Sequence, residues 1–373
     1  MPPGFPILFD HALRIVEPAF AYLIEIATIP GRSHAGETVR TYAEHLHDWF
    51  DALEQSKLNW RDVDERMVAA YRNRMLEGES QHTGRPYGRA TVNARVHTVC
   101  RFYAWAHRRG LITHLPFGRI EVWLPGAARH RRATAAHLVE GDSKIWANIL
   151  TVPEQGHIPR PLRAAELARL LGALNQPYRL MAEWAVTTGL RRMELCALTI
   201  GQLPPSHRLT PERDPLVAME ITRTKGGRPR TAYPPLRLVD RTLWYVGEER
   251  AVATRRCGRA DARRSTAKLF LRTSGEPPTH ASVSAVFGRA FDAAGLQGSL
   301  HTLRHTFAVT MLAALQRRLR IDPDLNPLKI LQVLLGHASI ETTALYLRCV
   351  ELHADSLEDS VSHLYGALVP DAT

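Results

Sequence analysis

Apolar residues return at helical spacing in three segments of the first third of the chain. The first begins near Glu37, the second opens with a capping-box pattern at Asp62–Glu65, and the third runs from Arg89 to Arg109. Their inward stripes are Val39, Tyr42, Ala43, Leu46, Trp49, Phe50 and Leu53, then Met67, Tyr71 and Met75, then Val92, Val96, Val99, Tyr103 and Ala106. We therefore predict a small helical domain over residues 37–118, preceded by an N-terminal arm over residues 1–36.

The periodic pattern stops between residues 119 and 158. Prolines, glycines and the basic cluster Arg129–Arg132 interrupt it, so we interpret this stretch as an interdomain connector, with some helix near residues 142–150. Helical spacing returns in the next segment, which opens with an amphipathic helix reaching Leu174. The second predicted domain therefore covers residues 159–373.

Short alternating segments in the second domain predict a small amount of β-structure. Residues 216–224 alternate, a turn follows at Lys225, and residues 230–233 return, which is typical of a hairpin. Residues 268–272 predict a short strand, and residues 282–294 predict a helix. The predicted fold class is mainly α, with a small β-sheet in the C-terminal domain.

A helix break near the end of the chain brings two polar side chains together. Residues 327–335 predict a short helix that Asn326 caps and Gly336 ends. His337 follows the break, and Tyr346 lies nine residues later on the next helix. On one continuous helix these two side chains would point to opposite sides, so the break allows them to converge.

The composition favours a polyanionic partner. The chain has 373 residues, of which 48 are Lys or Arg and 37 are Asp or Glu, giving a net charge of +11. No apolar run reaches the roughly 20 residues of a membrane span, and no signal peptide is evident at the N-terminus. The four cysteines are scattered, which favours a reducing compartment without disulfides or structural zinc.

Several short motifs occur in a fixed order along the second domain. They are Thr188-Gly-Leu-Arg-Arg-Met-Glu-Leu195, Lys225 before a glycine turn, His301-Thr-Leu-Arg-His305, Leu335-Gly-His337 and Tyr346. Taken singly they say little, because a lone tyrosine on an amphipathic helix usually serves packing. Together they resemble the signature of the tyrosine recombinase (phage integrase) family. The resemblance implies a helical SAM-like core-binding domain followed by a mixed α/β catalytic domain.

The resemblance also implies six catalytic residues and a role for each: Arg191, Lys225, His301, Arg304, His337 and Tyr346. Arg191 and Arg304 would clamp the non-bridging oxygens of a phosphodiester, because guanidinium groups are permanently charged forks. His337 would hydrogen-bond the same phosphate.

Three further positions concern the movement of protons. Tyr346 would attack phosphorus, and His301 would accept the phenolic proton. Lys225, on a flexible hairpin, would protonate the leaving 5′ oxygen. His305 lies on the same helix face as His301 and Arg304, and we expect it to play a structural or supporting part.

The expected reaction stores the bond energy in a 3′-phosphotyrosyl enzyme, so no metal or nucleotide cofactor is expected. The implied partner is double-stranded DNA, bound by a homo-oligomer that is a tetramer on paired sites, in the cytoplasm of a bacterium at its nucleoid. The C-terminal stripe Leu357, Val361, Leu364 and Leu368 would pack on its own domain or dock on a neighbouring protomer.

Two other functions remain open from the sequence. A type IB topoisomerase would use the same chemistry to relax supercoils as a monomer. A non-catalytic DNA-binding regulator on the same frame is the third candidate, against which the retained Tyr346, Arg191, Arg304 and Lys225 argue.

Overall fold

A computed structural model describes most of the chain, and contacts between its Cα atoms divide it into unit 1, Met1–Gly156, and unit 2, His157–Thr373. The described residues are 4–28, 36–80, 84, 86–123, 144–148, 150–153, 160–204, 217–224, 227–256, 267–319, 321–337 and 339–352. Within these residues, none of the helices combines the length and apolar character needed to cross a bilayer.

The described part of unit 1 is built from four helices and one pair of strands. The elements are α1 (Glu17–Thr28), α2 (Gly36–Gln55), a 3₁₀ turn (Trp60–Asp62), α3 (Glu65–Glu77), α4 (Arg89–Arg108), β1 (Arg119–Trp123) and β2 (Lys144–Asn148). All three predicted helices are present, and the stripe of α4 is fully buried. Asp64 caps α3 by accepting a hydrogen bond from the backbone N–H of Met67, so the cap lies two residues after the predicted position.

The predicted N-terminal arm is wrong for residues 17–28, which form α1. Ala19, Tyr22, Leu23 and Ile26 of α1 are buried in the core of unit 1. The Tyr22 ring meets the Phe102 ring edge-on, with 5.8 Å between centroids. Its apolar residues run without a break from Ala19 to Ile24, so helical spacing does not reveal it, and its stability comes from packing on α2 and α4.

The predicted helix near residues 142–150 is also wrong. Residues 144–148 form β2, which pairs antiparallel with β1 so that Val122 lies opposite Ile145. Ile, Val and Trp suit a paired strand, but the pairing joins segments more than twenty residues apart. A reading of one segment at a time does not detect such a partner.

Unit 2 contains nine helices and a two-stranded hairpin among its described residues. The helices are α5 (Ala164–Gly172), α6 (Tyr178–Thr188), α7 (Arg192–Ala197), α8 (Leu236–Gly247), α9 (Glu249–Arg256), α10 (His280–Ala293), α11 (Leu300–Leu319), α12 (Pro327–Leu335) and α13 (Ile340–Leu352). A 3₁₀ turn spans Ile200–Gln202, and the strands are β3 (Met219–Ile221) and β4 (Arg230–Ala232). The mainly helical fold with a small sheet is confirmed, as is the hairpin.

The strand predicted for residues 268–272 is reduced to a single bridge between Lys268 and Thr199. Side chains satisfy the backbone here in place of a strand partner. The Tyr245 hydroxyl accepts a hydrogen bond from the backbone N–H of Leu271 and donates one to its carbonyl, while Arg250 donates to the carbonyls of Lys268 and Leu269. The segment is consequently buried without alternating.

Candidate active site

Arg191 is fixed by the turn between α6 and α7. Helix α6 ends at Gly189, which has a φ of +65°, and Arg191 then occupies the N-cap position of α7. The carboxylate of Glu194 accepts hydrogen bonds from the backbone N–H of Arg191 at 2.8 Å and from its guanidinium at 3.0 Å. The guanidinium also lies 3.4 Å from the carbonyl oxygen of Gly336, which ends α12.

Arg304 connects three parts of unit 2 through one guanidinium group. It projects from α11 and is only 1% exposed. It donates to the carbonyl of Gly189, to the carbonyl of Leu335 at 2.7 Å, and to Nε2 of His337 at 3.2 Å. Burial and the neighbouring arginines lower the pKa of Arg304 to about 9, so the side chain remains a cation at neutral pH.

His337 lies at the break between α12 and α13, as predicted. Asn326 caps α12 by accepting from the backbone N–H of Lys329 at 3.0 Å, and Gly336 ends the helix with a φ of +61°. An arginine can only donate, so Nε2 of His337 accepts from Arg304, and Nδ1 carries the proton that it donates to the Thr343 hydroxyl at 2.9 Å. Burial and the nearby cations lower the pKa of His337 to about 3, so the ring is neutral.

Tyr346 projects from α13 into the same region and is only 3% exposed. Its hydroxyl lies 2.9 Å from Nδ1 of His305, and its ring stacks on that of His337 with 6.3 Å between centroids. The His301 ring lies beside that of His305, 4.4 Å between centroids. Burial raises the pKa of Tyr346, while the charges of Arg304 and Arg191 act to lower it.

Five of the six residues predicted for the site therefore converge, and the sixth, Lys225, lies outside the described residues. The predicted convergence of His337 and Tyr346 across the helix break is confirmed. The imidazole hydrogen-bonded to Tyr346 is that of His305. The expected role of His301 stays a prediction.

Arg230 belongs to this region, although the sequence reading did not place it there. It lies on β4, donates to both oxygens of Glu194, at 2.8 Å and 3.5 Å, and also donates to the carbonyl of Leu334. The alternation of the strand could have indicated it, since this alternation puts Arg230 on the same inward face as Ala232. A buried arginine requires a charged or polar partner. Burial opposes the ionisation of Glu194, but Arg230 and Arg191 more than offset it and hold its pKa below the usual range.

The described part of the site carries a net positive charge beside a tyrosine hydroxyl. The charged groups acting on Arg304 include two further cations, Arg191 and Arg230, and one anion, Glu194. Such a cluster can bind an oxyanion and stabilise charge that develops on it. Among the described residues, no group of three or more His, Cys, Asp or Glu side chains could hold a metal ion.

Comparisons with known proteins agree in both halves of the chain. Residues 160–352 match the model of the phage integrase family, and residues 27–110 match that of the phage integrase N-terminal SAM-like domain. Tyrosine recombinase XerC 2 of Ralstonia nicotianae is 28% identical over 307 residues, covering 74% of this chain and 81% of the relative. Tyrosine recombinase XerC of Mycobacterium bovis is 29% identical over 260 residues, covering 69% and 72%.

Two solved structures share the fold. XerH site-specific recombinase bound to a palindromic difH substrate, in a post-cleavage complex, aligns with a TM-score of 0.54 and 17% identity, covering 89% of this chain and 81% of that one. A lambda integrase dimer bound to a COC′ core site aligns with a TM-score of 0.53 and 19% identity, covering 88% and 94%.

Proposed function

The chain belongs to the phage integrase family of tyrosine recombinases, and from this premise we propose how its own residues carry out DNA strand cleavage and rejoining. The protein is a site-specific DNA recombinase, and its substrate is DNA. We assign the six residues Arg191, Lys225, His301, Arg304, His337 and Tyr346 to its active site. The proposed place of action is nucleoid DNA in the cytoplasm of a bacterium.

The arginines would bind the scissile phosphate. Arg191 and Arg304 would contact its non-bridging oxygens and stabilise the extra negative charge of the five-coordinate transition state. His337 would contact the same phosphate. Arg304 supports this assignment most strongly, because it is a buried cation that touches the ends of α6 and α12 and the ring of His337.

Tyr346 would supply the attacking oxygen. Attack would form a bond between the phenolic oxygen and phosphorus and break the bond to the 5′ oxygen, which Lys225 would protonate. A 5′ hydroxyl from another strand could then attack the phosphotyrosine and reverse the steps. Neither cleavage nor rejoining requires the hydrolysis of a nucleotide, because the phosphotyrosine keeps the energy of the broken bond.

We test this proposal with nicked suicide duplexes that carry the DNA flanking the gene. After cleavage, the short fragment that carries the new 5′ hydroxyl diffuses away, and the covalent adduct accumulates. In EDTA, the wild-type chain should give a denaturant-stable adduct, and Tyr346→Phe should abolish it because the attacking oxygen is missing. The measurement is a shifted band on a denaturing gel, with the attachment residue identified by mass spectrometry.

The matched control is Tyr178→Phe, which removes the hydroxyl of a different tyrosine in unit 2, one that is partly buried. It should form the adduct at the wild-type rate. An adduct that persists in Tyr346→Phe would show that the nucleophile is wrong. Absence of any wild-type adduct across the flanking DNA would overturn the proposed cleavage chemistry.

We further propose that the chain acts as a homo-oligomer, a tetramer on paired sites. Unit 2 has an apolar groove of about 720 Å³ lined by α5, α6, β4 and α11, including Leu167, Val186, Tyr233, Met311 and Ala314. The C-terminal segment carries the apolar stripe Leu357, Val361, Leu364 and Leu368. The stripe of one protomer, inserted into the groove of the next, would remove both apolar surfaces from water.

A further inference from the structure

Two histidines one helical turn apart on α11 lie next to the nucleophile assigned above, and they are placed differently. His305 is half-buried, and its Nδ1 lies 2.9 Å from the Tyr346 hydroxyl. His301 is exposed, and its ring lies edge-on to that of His305. The phenol is thus in direct contact with the second histidine of the motif.

We propose that His305 is the general base that accepts the proton of Tyr346 during strand cleavage and returns it during rejoining. The inference rests on the proposed function, because it needs Tyr346 to be the nucleophile. It assigns a catalytic role to a residue that the sequence led us to expect only in a supporting part.

The distance to the phenolic oxygen and the availability of a lone pair distinguish the candidate bases. A general base must lie within about 2.6–3.2 Å of the atom whose proton it takes, and Nδ1 of His305 meets this requirement. Both ring nitrogens of His337 have other partners, since Nε2 accepts from Arg304 and Nδ1 donates to Thr343. The neighbouring arginines have no lone pair with which to accept.

Burial makes such a base necessary. The Tyr346 hydroxyl is taken out of water, which favours its neutral form, so at neutral pH the proton must leave during attack. Arg304 and Arg191 stabilise negative charge on the phenolic oxygen but cannot remove its proton. The His305 imidazole, in hydrogen-bond contact with the phenol, can accept this proton when it is neutral.

The proposed step balances in protons and charge. The step starts from a neutral His305 with its own proton on Nε2, the tautomer in which Nδ1 can accept the phenolic hydrogen bond. As the phenolic oxygen bonds to phosphorus, its proton moves to Nδ1, giving an imidazolium next to the bound phosphate. The bond to the 5′ oxygen breaks, and that oxygen takes a proton from Lys225. Religation reverses each transfer.

Several titratable or charged groups surround this hydrogen bond and will shape its pH dependence. They come from α11, from the α6–α7 turn and α7, from β4 and from the α12–α13 region: His301, Arg304, Arg191, Glu194, Arg230, His337 and Cys349.

A duplex with a bridging 5′-phosphorothiolate at the cleavage site separates the activation of Tyr346 from the protonation of the leaving group. Its thiolate leaving group needs no general acid, so Lys225 drops out of the measured rate.

The experiment measures single-turnover adduct formation on this duplex as a function of pH. We use the flanking-DNA sequence that gives the strongest wild-type adduct, with the wild-type chain, His305→Ala, His305→Asn and His301→Asn. In His305→Asn, the introduced amide can keep a hydrogen bond to the phenol but cannot take its proton.

Both His305 variants should lose about 10²-fold in rate at neutral pH, in line with the usual contribution of a general base. Their deficit should shrink as pH rises toward the range in which the phenol ionises unaided. Added imidazole should partly restore His305→Ala by entering the vacated space. His301→Asn should keep the wild-type pH profile, whatever its rate. DNA affinity and melting temperature, measured in parallel, separate these effects from loss of fold.

Three results would overturn the assignment of His305. The first is a wild-type rate in His305→Asn. The second is a rate in His305→Ala that equals or exceeds the wild-type rate. The third is a pH profile that His301→Asn alters and the His305 variants do not. Absence of an adduct in the wild-type chain would instead remove the proposed function.

Discussion

At the scale of single residues, the site depends on one buried carboxylate shared by two arginines. Glu194 is 1% exposed and pairs with Arg191 at 3.0 Å and with Arg230 at 2.8 Å. A buried carboxylate with a single partner would be poorly compensated, so the second guanidinium stabilises the arrangement. Arg230 also donates to the carbonyl of Leu334, which ties the hairpin to the end of α12.

We predict that Arg230→Lys will separate positioning from binding. The ammonium keeps the charge but loses the fork that reaches Glu194 and Leu334 together. Small displacements of catalytic groups can cost about 10²-fold in rate, so adduct formation should fall about 10- to 10²-fold while DNA affinity changes little. Kinetics on the suicide duplex and gel-shift titrations measure the two quantities.

Arg228→Lys is the control for this substitution, since Arg228 is an exposed arginine on the same hairpin. It should leave cleavage unchanged. Equal losses of DNA affinity and cleavage in Arg230→Lys would contradict a positioning role and indicate a contact with DNA.

The sequence could identify most site residues but not all of their partners. Spacing alone placed His301, Arg304 and His305 on one helix face, and the structure agrees. Which imidazole reaches Tyr346 depends on how α13 packs against α11, and this packing is set by contacts between distant segments. Arg230 was missed for a similar reason, because its partners Glu194 and Leu334 lie 36 and 104 residues away.

At the scale of elements, two helix ends with left-handed glycines build the site. Gly189 ends α6 with a φ of +65° and offers its carbonyl to Arg304, and Gly336 ends α12 with a φ of +61° and precedes His337. The Asn and Gly residues that begin and end these helices could be identified from the sequence. The pairing of β1 with β2 was not, because local pattern does not name a strand's partner.

We predict that Gly189→Ala will destabilise unit 2 more than a comparable glycine substitution. An added Cβ would lie 2.5 Å from Cδ1 of Phe307 and 3.1 Å from Cδ2 of Leu335. Left-handed backbone costs about 1–2 kcal/mol for a residue with a side chain, and overpacking adds about 1–3 kcal/mol. Urea unfolding should therefore show a loss of about 2–5 kcal/mol.

Gly295→Ala isolates the backbone term of that loss. Gly295 has the same φ of +65°, but nothing lies within 4 Å of the added Cβ. Its loss should stay at about 1–2 kcal/mol. Equal losses for the two variants would mean that the contact with Phe307 relaxes without cost.

At the scale of the whole molecule, the two units carry different parts of the predicted design. Predicted helices at the start of the chain form the core of unit 1, and the described residues of the predicted site assemble within unit 2. Two arginines on and directly after α4 already form ion pairs within unit 1. Arg95 pairs with Asp48, and Arg109 pairs with Glu25 at 2.6 Å. The net charge indicated a polyanionic partner, and the motifs of the second domain narrowed this class to DNA.

The final prediction concerns assembly through the apolar groove of unit 2. Ala314 is exposed and lines the groove, so Ala314→Glu should fold normally while placing a charge where an apolar stripe would dock. Tetramers on paired-site DNA, measured by sedimentation, and recombination should both fall at least about 10-fold, the effect of roughly 1.4 kcal/mol. Cleavage of a single suicide duplex should persist, because the described residues of the proposed site lie within one chain.

Two further variants test whether the groove and the C-terminal stripe bind each other. Gln316→Glu adds the same charge on α11 outside the groove lining and should leave assembly unchanged. Deletion of residues 353–373 removes the apolar stripe and should match the loss seen in Ala314→Glu. Combining deletion with Ala314→Glu should add nothing further, since both remove one interaction. Additive losses would mean that the groove and the stripe contact different partners, and normal assembly of Ala314→Glu would exclude the groove as the docking surface.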